Sequence, residues 1–531
     1  MEKPDHNTDE HTARLGRRRF LGGIGAGAAG VASGIFLSDV EAAGAAVEGP
    51  VVTATPDSQF SRMFQLPAFA NPRSTAVRDA MVELGKPGGL LDAKDPLHEG
   101  PIRLITNPEL SPNNPDQSVA NMTAGTTFVG QFLDHDVTFD STSPLGVVTE
   151  PALTRNTRNP QLDLDTVYGG GPSVSPQLYT AADRAKFRVE HGGRFEDLPR
   201  NSDQTAIIGD RRNDENLMIA GLHVAFLKAH NRIVDLHRAN RSPGDVWSLA
   251  RRTLIQHWQW IVVHEFLPQI VGQALIDNIF RDGRKWYRFS RPSMPVEWQT
   301  GVFRFGHSLV RPSYRANLAG DRDAAGNPAP FFAFVFDPAA ENQADPADLR
   351  GRARAPRRFI GWQTFFDFGG DQTQHVRPNK LIETTLSTPL FHLPLQAIAS
   401  GDAPTSLAQR NLLRHLTWSM PSGQRIAAST GSPVLGSSHF PELSSFGVGL
   451  DSSTPLWYYI LREAAVFNQG QRLGPVGGRI VAETIIGLLQ MDPGSYLNNG
   501  FRPSLPSQTA GTFKMTDMLR WAQVDPASRG Q

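Results

Sequence analysis

Gln131, Asp134 and His135 fall at i, i+3 and i+4 in Gly130-Gln131-Phe132-Leu133-Asp134-His135-Asp136. On a helix that spacing gathers an amide, a carboxylate and an imidazole on one face, a set able to bind a polar ligand and move a proton, with Asp136 turned toward another partner. A single histidine in such a run is nonetheless more often a buried structural residue than a proton carrier. Asp210-Arg211-Arg212-Asn213-Asp214-Glu215-Asn216 sets dense charge immediately before a long apolar-periodic run. By residue type alone it reads first as an acidic helix start with solvated arginines. Asn159-Pro160-Gln161-Leu162-Asp163-Leu164-Asp165 places two carboxylates two residues apart in a loop. A hard, oxygen-seeking cation requires that donor type, and a metal-free acidic loop is the alternative.

Taken together the segments point further. GQFLDHD resembles the distal motif of the animal-type haem peroxidases, the peroxidase-cyclooxygenase superfamily, and the charged segment follows it in the family's order. The resemblance implies that His135 takes a proton from bound hydrogen peroxide, with Gln131 beside it, that Arg212 is the catalytic arginine, and that Glu215 is a second carboxylate near the haem rim. Phe303-Arg304-Phe305-Gly306-His307-Ser308-Leu309 resembles the family's proximal motif, which makes His307 the haem-iron ligand. A ligating histidine passes its other N–H to an acceptor. The resemblance names Asn411 for this, in Leu407-Ala408-Gln409-Arg410-Asn411-Leu412-Leu413-Arg414, with Arg414 and Arg304 as partners of the haem propionates. It also places calcium among Asp136, Asn159, Gln161, Asp163 and Asp165.

Haem b is thus the implied cofactor, and ester links to Asp134 and Glu215 are chemically open to it. Asn216 stands where some members carry a methionine that forms a third, sulfonium link, so that link is excluded and efficient chloride oxidation is not expected. The implied activity is reduction of hydrogen peroxide through a ferryl haem that oxidises a small phenolic, halide or pseudohalide reductant. Fatty-acid dioxygenases of the same superfamily use a tyrosine three residues before the proximal histidine. Here that residue is Arg304. A non-catalytic haem-binding or adhesion protein is the other alternative, and retention of both His135 and Arg212 argues against it.

These groups need a scaffold. Apolar periodicity predicts helices over 124–132, 217–236, 246–275, 405–416 and 479–489, with Leu222, Phe226, Ala229, Ile233 and Leu236 forming one stripe. Residues 50–115, rich in Pro, Gly and Asn, read as an extended arm, and clear alternating strands are few. The expectation is a mostly α protein with long loops and little β. Motifs at 131, 212, 307 and 411 must converge on one haem, so residues 50–531 read as a single domain.

The remaining signals bound the class. Lys+Arg and Asp+Glu are both 52, so bulk charge recruits neither nucleic acid nor an anionic membrane. There is no cysteine, which excludes disulfides, zinc-cysteine sites, iron-sulfur clusters and a thiolate haem ligand. Arg17-Arg18-Arg19-Phe20-Leu21 opens a Gly/Ala-rich run to Leu37, followed by small residues Ala42 to Ala46. This resembles a twin-arginine export signal over residues 1–46, implying a periplasmic or extracellular protein with no stable membrane span once processed. His223, His230 and His237 recur every seven residues but lack HExxH spacing, so His230 is read as structural and the other two stay unassigned. His264-Glu265 reads as buried structure, and no GxSxG elbow occurs.

Overall fold

The long apolar-periodic run starts where Asn216 caps it, its side chain accepting from the backbone N–H of Ile219. In the computed structural model, which describes residues 59–118 and 122–531, this capping pattern recurs. Ser74 caps α1 (Thr75–Leu84), and α2 (Ala124–Val137) carries the distal motif. Asn216 caps α3 (Leu217–Ala239), Asp245 caps α4 (Val246–Ile261) and Ser406 caps α5 (Leu407–Thr417). Two further apolar helices follow, α6 (Leu456–Asn468) and α7 (Pro475–Met491). Residues 1–46, read as an export signal, lie outside the described residues. The described residues pack as one unit.

Aromatic rings lock the helices that bear the site. Phe132 of α2 stacks on Phe226 of α3 at 4.6 Å, and Trp258 of α4 meets both edge-on at 5.5 and 5.4 Å. Each such pair contributes about 0.5–1.5 kcal/mol beyond its buried area. All three rings are fully buried, so α2 is held on the side away from its polar face. Among the described residues, sheet structure is limited to small pairs, the largest being the antiparallel hairpin of β1 (Ser313–Arg322) and β2 (Pro328–Phe334).

Two expectations are corrected. The run 246–275 is not one helix: α4 ends at Ile261, a π-helical turn spans Val262–Phe266, and a short helix stops at Gly272, whose φ of 82° only glycine adopts freely. The segment 50–115 is not simply extended. It contains α1 and a helix over Gly100–Thr106, each too short for a clear periodic signal.

Candidate functional site

His135, Arg212 and His307 line one cavity of about 310 Å³, together with Gln131, Asp134, Glu215, Arg304 and Arg414. Residues separated by nearly 300 positions in sequence are thereby brought together. The polar face of α2 supplies Gln131, Asp134 and His135, the 3₁₀ turn Arg211–Asp214 supplies Arg212, and the 3₁₀ segment Phe303–Leu309 supplies Arg304 and His307. Phe266, Phe303, Leu390 and Leu393 add apolar wall.

Each histidine is tied by an asparagine. Nδ1 of His135 lies 2.8 Å from Oδ1 of Asn213, and Nδ1 of His307 lies 2.8 Å from Nδ2 of Asn411. A half-turn of the Asn411 amide presents Oδ1 instead, the acceptor needed when Nδ1 carries the proton and Nε2 is free for a metal. Burial lowers both imidazoles to about 3, the first aided by Arg212 and the second by Arg304. Both rings are therefore neutral at physiological pH, the form that accepts a proton or ligates a metal.

Arg212 is held rigidly. Its Nη2 and Nε donate to Asp210, and Nη2 also reaches the carbonyls of His135 at 3.1 Å and Thr138 at 2.9 Å. The guanidinium stacks over Phe139 at 4.3 Å and its Nη1 approaches Asp134 to 3.8 Å. Burial raises both cavity carboxyls, Asp134 upward and Glu215 to about 8. Gln131 bridges the two segments, donating to Glu215 Oε2 at 3.1 Å and accepting from Asn216 at 3.3 Å.

The arginines differ in availability. Arg304 donates from Nε to the carbonyl of Gln299 and has no carboxylate partner among the described residues, leaving its cationic head for an anionic ligand. Arg414 is already engaged, its Nη1 at 3.0 Å from Asp140 and 2.8 Å from Ser143 Oγ. Two imidazoles lining one cavity, two carboxyls, an arginine without an acidic partner among the described residues and apolar walls are the donor set that a haem, with its propionates, fits.

Behind α2, Asp136, Asp163 and Asp165 bring carboxylate oxygens within 4.8 Å of one another. Oδ1 of Asp136 and Oδ1 of Asp163 are buried without a hydrogen-bond partner. Burial and the two neighbouring carboxylates push Asp136 well up, and burial raises Asp165 to about 7 despite Arg158 nearby. Orphaned, mutually repelling carboxylate oxygens fit a divalent cation. Asn159 turns its Nδ2 toward Gln161 Oε1 at 3.2 Å and Asp163 Oδ2 at 3.1 Å, so its side-chain nitrogen faces the acids as a donor.

Three site residues escaped the sequence reading as functional groups: Asn213, Thr166 and His223. The Nδ2 of Asn213 donates to Thr166 Oγ1 at 2.7 Å and to Nδ1 of His223 at 2.9 Å. His230 is structural, taking Tyr168 Oη at 3.0 Å and facing the carbonyl of Ala185 at 2.9 Å. His264 is exposed rather than buried, stacked on Trp260 at 3.9 Å.

Residues 143–351 match the family model for animal haem peroxidases. Chorion peroxidase of Aedes aegypti is 30% identical over 172 residues, 29% of this chain and 22% of that protein. Thyroid peroxidase of Sus scrofa is 25% identical over 224 residues, 37% of this chain and 24% of that protein. The chain therefore aligns with about a quarter or less of the length of these curated relatives. Peroxidase A from Dictyostelium discoideum shares the fold at a TM-score of 0.54 and 16% identity, over 90% of this chain and 97% of that one. Fatty acid α-dioxygenase of Oryza sativa aligns at 0.51 and 13% identity, over 77% and 73%.

Proposed function

We propose that this chain, whose residues 143–351 match the animal haem peroxidase family model, reduces hydrogen peroxide and oxidises a small phenolic, halide or pseudohalide donor at a haem b held in the cavity. The observation that carries the reading is the pair of neutral, asparagine-tied imidazoles on a single cavity. His307 would hold the iron through Nε2, with Asn411 on its Nδ1, and Arg304 would take a propionate, leaving Arg414 to support it from its pairing with Asp140. Bound there, the haem supplies the redox equivalents that the amino acids lack.

The chain's own groups manage protons and charge. Nε2 of His135 accepts a proton from one peroxide oxygen and returns it to the other, so that the departing oxygen leaves as water. Arg212, fixed by Asp210, stabilises negative charge as it develops on that oxygen. The neutral state of His135 makes the first transfer available without waiting for deprotonation. Calcium in the Asp136, Asp163 and Asp165 cluster would hold α2 in register, since Asp136 directly follows His135. Arg304, in place of a tyrosine, supports peroxidase over fatty-acid dioxygenase chemistry. Export through residues 1–46 to the periplasm or exterior completes the reading.

An absorption spectrum of the purified protein tests it. The expected result is a Soret band that shifts on adding hydrogen peroxide, a shift slowed in His135→Ala and a band perturbed in His307→Ala. A protein that takes up no haem overturns the reading.

A further inference from the structure

Asn213 lies fully buried between the distal histidine and two other polar side chains, Thr166 and His223, both of them buried as well. Its carbonyl oxygen faces Nδ1 of His135 at 2.8 Å, while its amide nitrogen faces Thr166 Oγ1 at 2.7 Å and His223 Nδ1 at 2.9 Å. An asparagine amide is directional: one end only accepts and the other only donates. With Oδ1 toward His135, the shared proton must sit on Nδ1 of that ring, and Nε2 is left as a lone pair. Turned over, the amide would donate to Nδ1 and force the proton onto Nε2. The partners on the far side of Asn213 thus decide which nitrogen of His135 can accept a proton.

The far side is built for one answer. His223 is buried and neutral, its imidazole lowered by burial to about 3, and with its own proton on Nε2 its Nδ1 accepts from the amide nitrogen. Thr166 offers the second acceptor from the turn Asp165–Tyr168. The loop before Arg212 seats against this turn because Gly209 has no side chain: a Cβ there would stand 2.5 Å from the carbonyl oxygen of Thr166. The contact between the two segments is therefore backbone against backbone, and it fixes where the Asn213 amide can reach.

We propose that Asn213 is the positioning residue for His135, holding the ring with its proton on Nδ1 and Nε2 free toward the cavity, and that Thr166 and His223 hold the amide in the orientation this demands. The role assigned to the free Nε2 rests on the peroxidase reading; the tautomer itself does not. Because Thr166 directly follows Asp165, the same chain of hydrogen bonds ties the acidic loop to the orientation of His135. It is a second route beside the covalent one through Asp136.

The test reads the tautomer directly. In full-length protein with ring-¹⁵N histidine, prepared without added haem, the His135 resonances are identified by their loss in His135→Ala. The expected native pattern is a single tautomer protonated at Nδ1. Asn213→Ala should give a mixture of tautomers, and Asn213→Asp, which keeps an acceptor opposite Nδ1, should restore the native pattern. In haem-loaded protein Asn213→Ala should lower the rate of reaction with peroxide by about 10²-fold, the scale expected when a reacting group is misplaced. Its haem content should be unchanged and Asn213→Asp should recover most of the rate. A native His135 protonated at Nε2 overturns the proposal without reference to any variant, as does an Asn213→Ala protein that keeps both the single tautomer and the native rate. A native protein with the expected tautomer but no reaction with peroxide would instead overturn the peroxidase reading and leave the positioning role standing.

Discussion

Arg212 grips Asp210 with two nitrogens, Nη2 at 2.8 Å from Oδ2 and Nε at 3.1 Å from Oδ1, both side chains being buried. From the other side Arg158 Nε reaches Asp210 Oδ2 at 3.1 Å, and its Nη1 lies 3.4 Å from Asp165. The arginine proposed to stabilise charge on peroxide is thereby joined through ion pairs to the acidic loop.

Asp210→Asn should loosen Arg212 and expose the cost of its burial. Removing one partner of a buried pair typically destabilises by about 3–5 kcal/mol, and an amide that still accepts hydrogen bonds should place this variant toward the lower end. Arg212 and Arg158 hold the Asp210 carboxyl below the usual carboxylate range despite burial. A depressed pKa gives stability that is present above the unfolded carboxylate value and is lost as pH falls below it. Thermal melts from neutral pH into acid should show the native protein losing stability more steeply than Asp210→Asn. Parallel curves would remove Asp210 from the account.

Chelation should destabilise the chain. Without a cation, Asp136, Asp163 and Asp165 confront one another with two orphaned oxygens. A ligand present at a hundred times its dissociation constant stabilises by about 2.7 kcal/mol. The expected outcome is a melting temperature lowered by a calcium-selective chelator and restored by calcium, with Asp163→Asn insensitive to both. A melting temperature indifferent to chelator in the native protein would count against a cation there.

The polar face of α2 was legible because helical spacing alone aligns Gln131, Asp134 and His135, and the structure keeps all three on one cavity. The resemblance placed Asn411 beside His307, and the two side chains meet at 2.8 Å. Asn213 was not legible as a partner of His135, since its role arises where two loops cross and nothing local to Arg211–Asp214 announces Thr166 or His223. His223 sits on the predicted apolar stripe's helix, where a buried histidine looks like any other. The break at Val262–Phe266 was hidden for a different reason: apolar residues continue through it, so periodicity cannot distinguish a π-helical turn from α-helix. Asn216, read only as a missing methionine, also caps α3, a role visible once the helix start is fixed.

Glu463 offers a pH test remote from the site. It accepts from the backbone N–H groups of Val476 and Gly477 at the start of α7, yet burial outweighs those bonds and raises its carboxyl to about 7. A raised carboxyl means the folded chain holds a proton that the unfolded chain has released. Its contribution therefore declines as pH climbs from the unfolded carboxylate range through 7 and is level above it. Glu463→Gln should show a flatter stability profile across that interval than the native protein, measured by urea titration at several pH values. Identical slopes would mean that Glu463 titrates as it does in the unfolded chain.

Covalent attachment of the haem is the last expectation, and it follows from two carboxyls on the same cavity. Asp134 lies on α2 and Glu215 at the end of the Arg211–Asp214 turn, both lining the cavity and both raised by burial. Glu215, pushed up to about 8, is mostly protonated at neutral pH, so it can approach an apolar haem edge without the cost of burying a charge. After exposure of haem-loaded protein to peroxide, acid-acetone extraction should leave much of the haem with the native polypeptide. Asp134→Asn and Glu215→Gln should each release more of it, and the double variant should release all of it, with intact mass reporting the bound fraction. Complete extraction from the native protein after repeated peroxide addition would show that the two carboxyls line the cavity without bonding to its occupant.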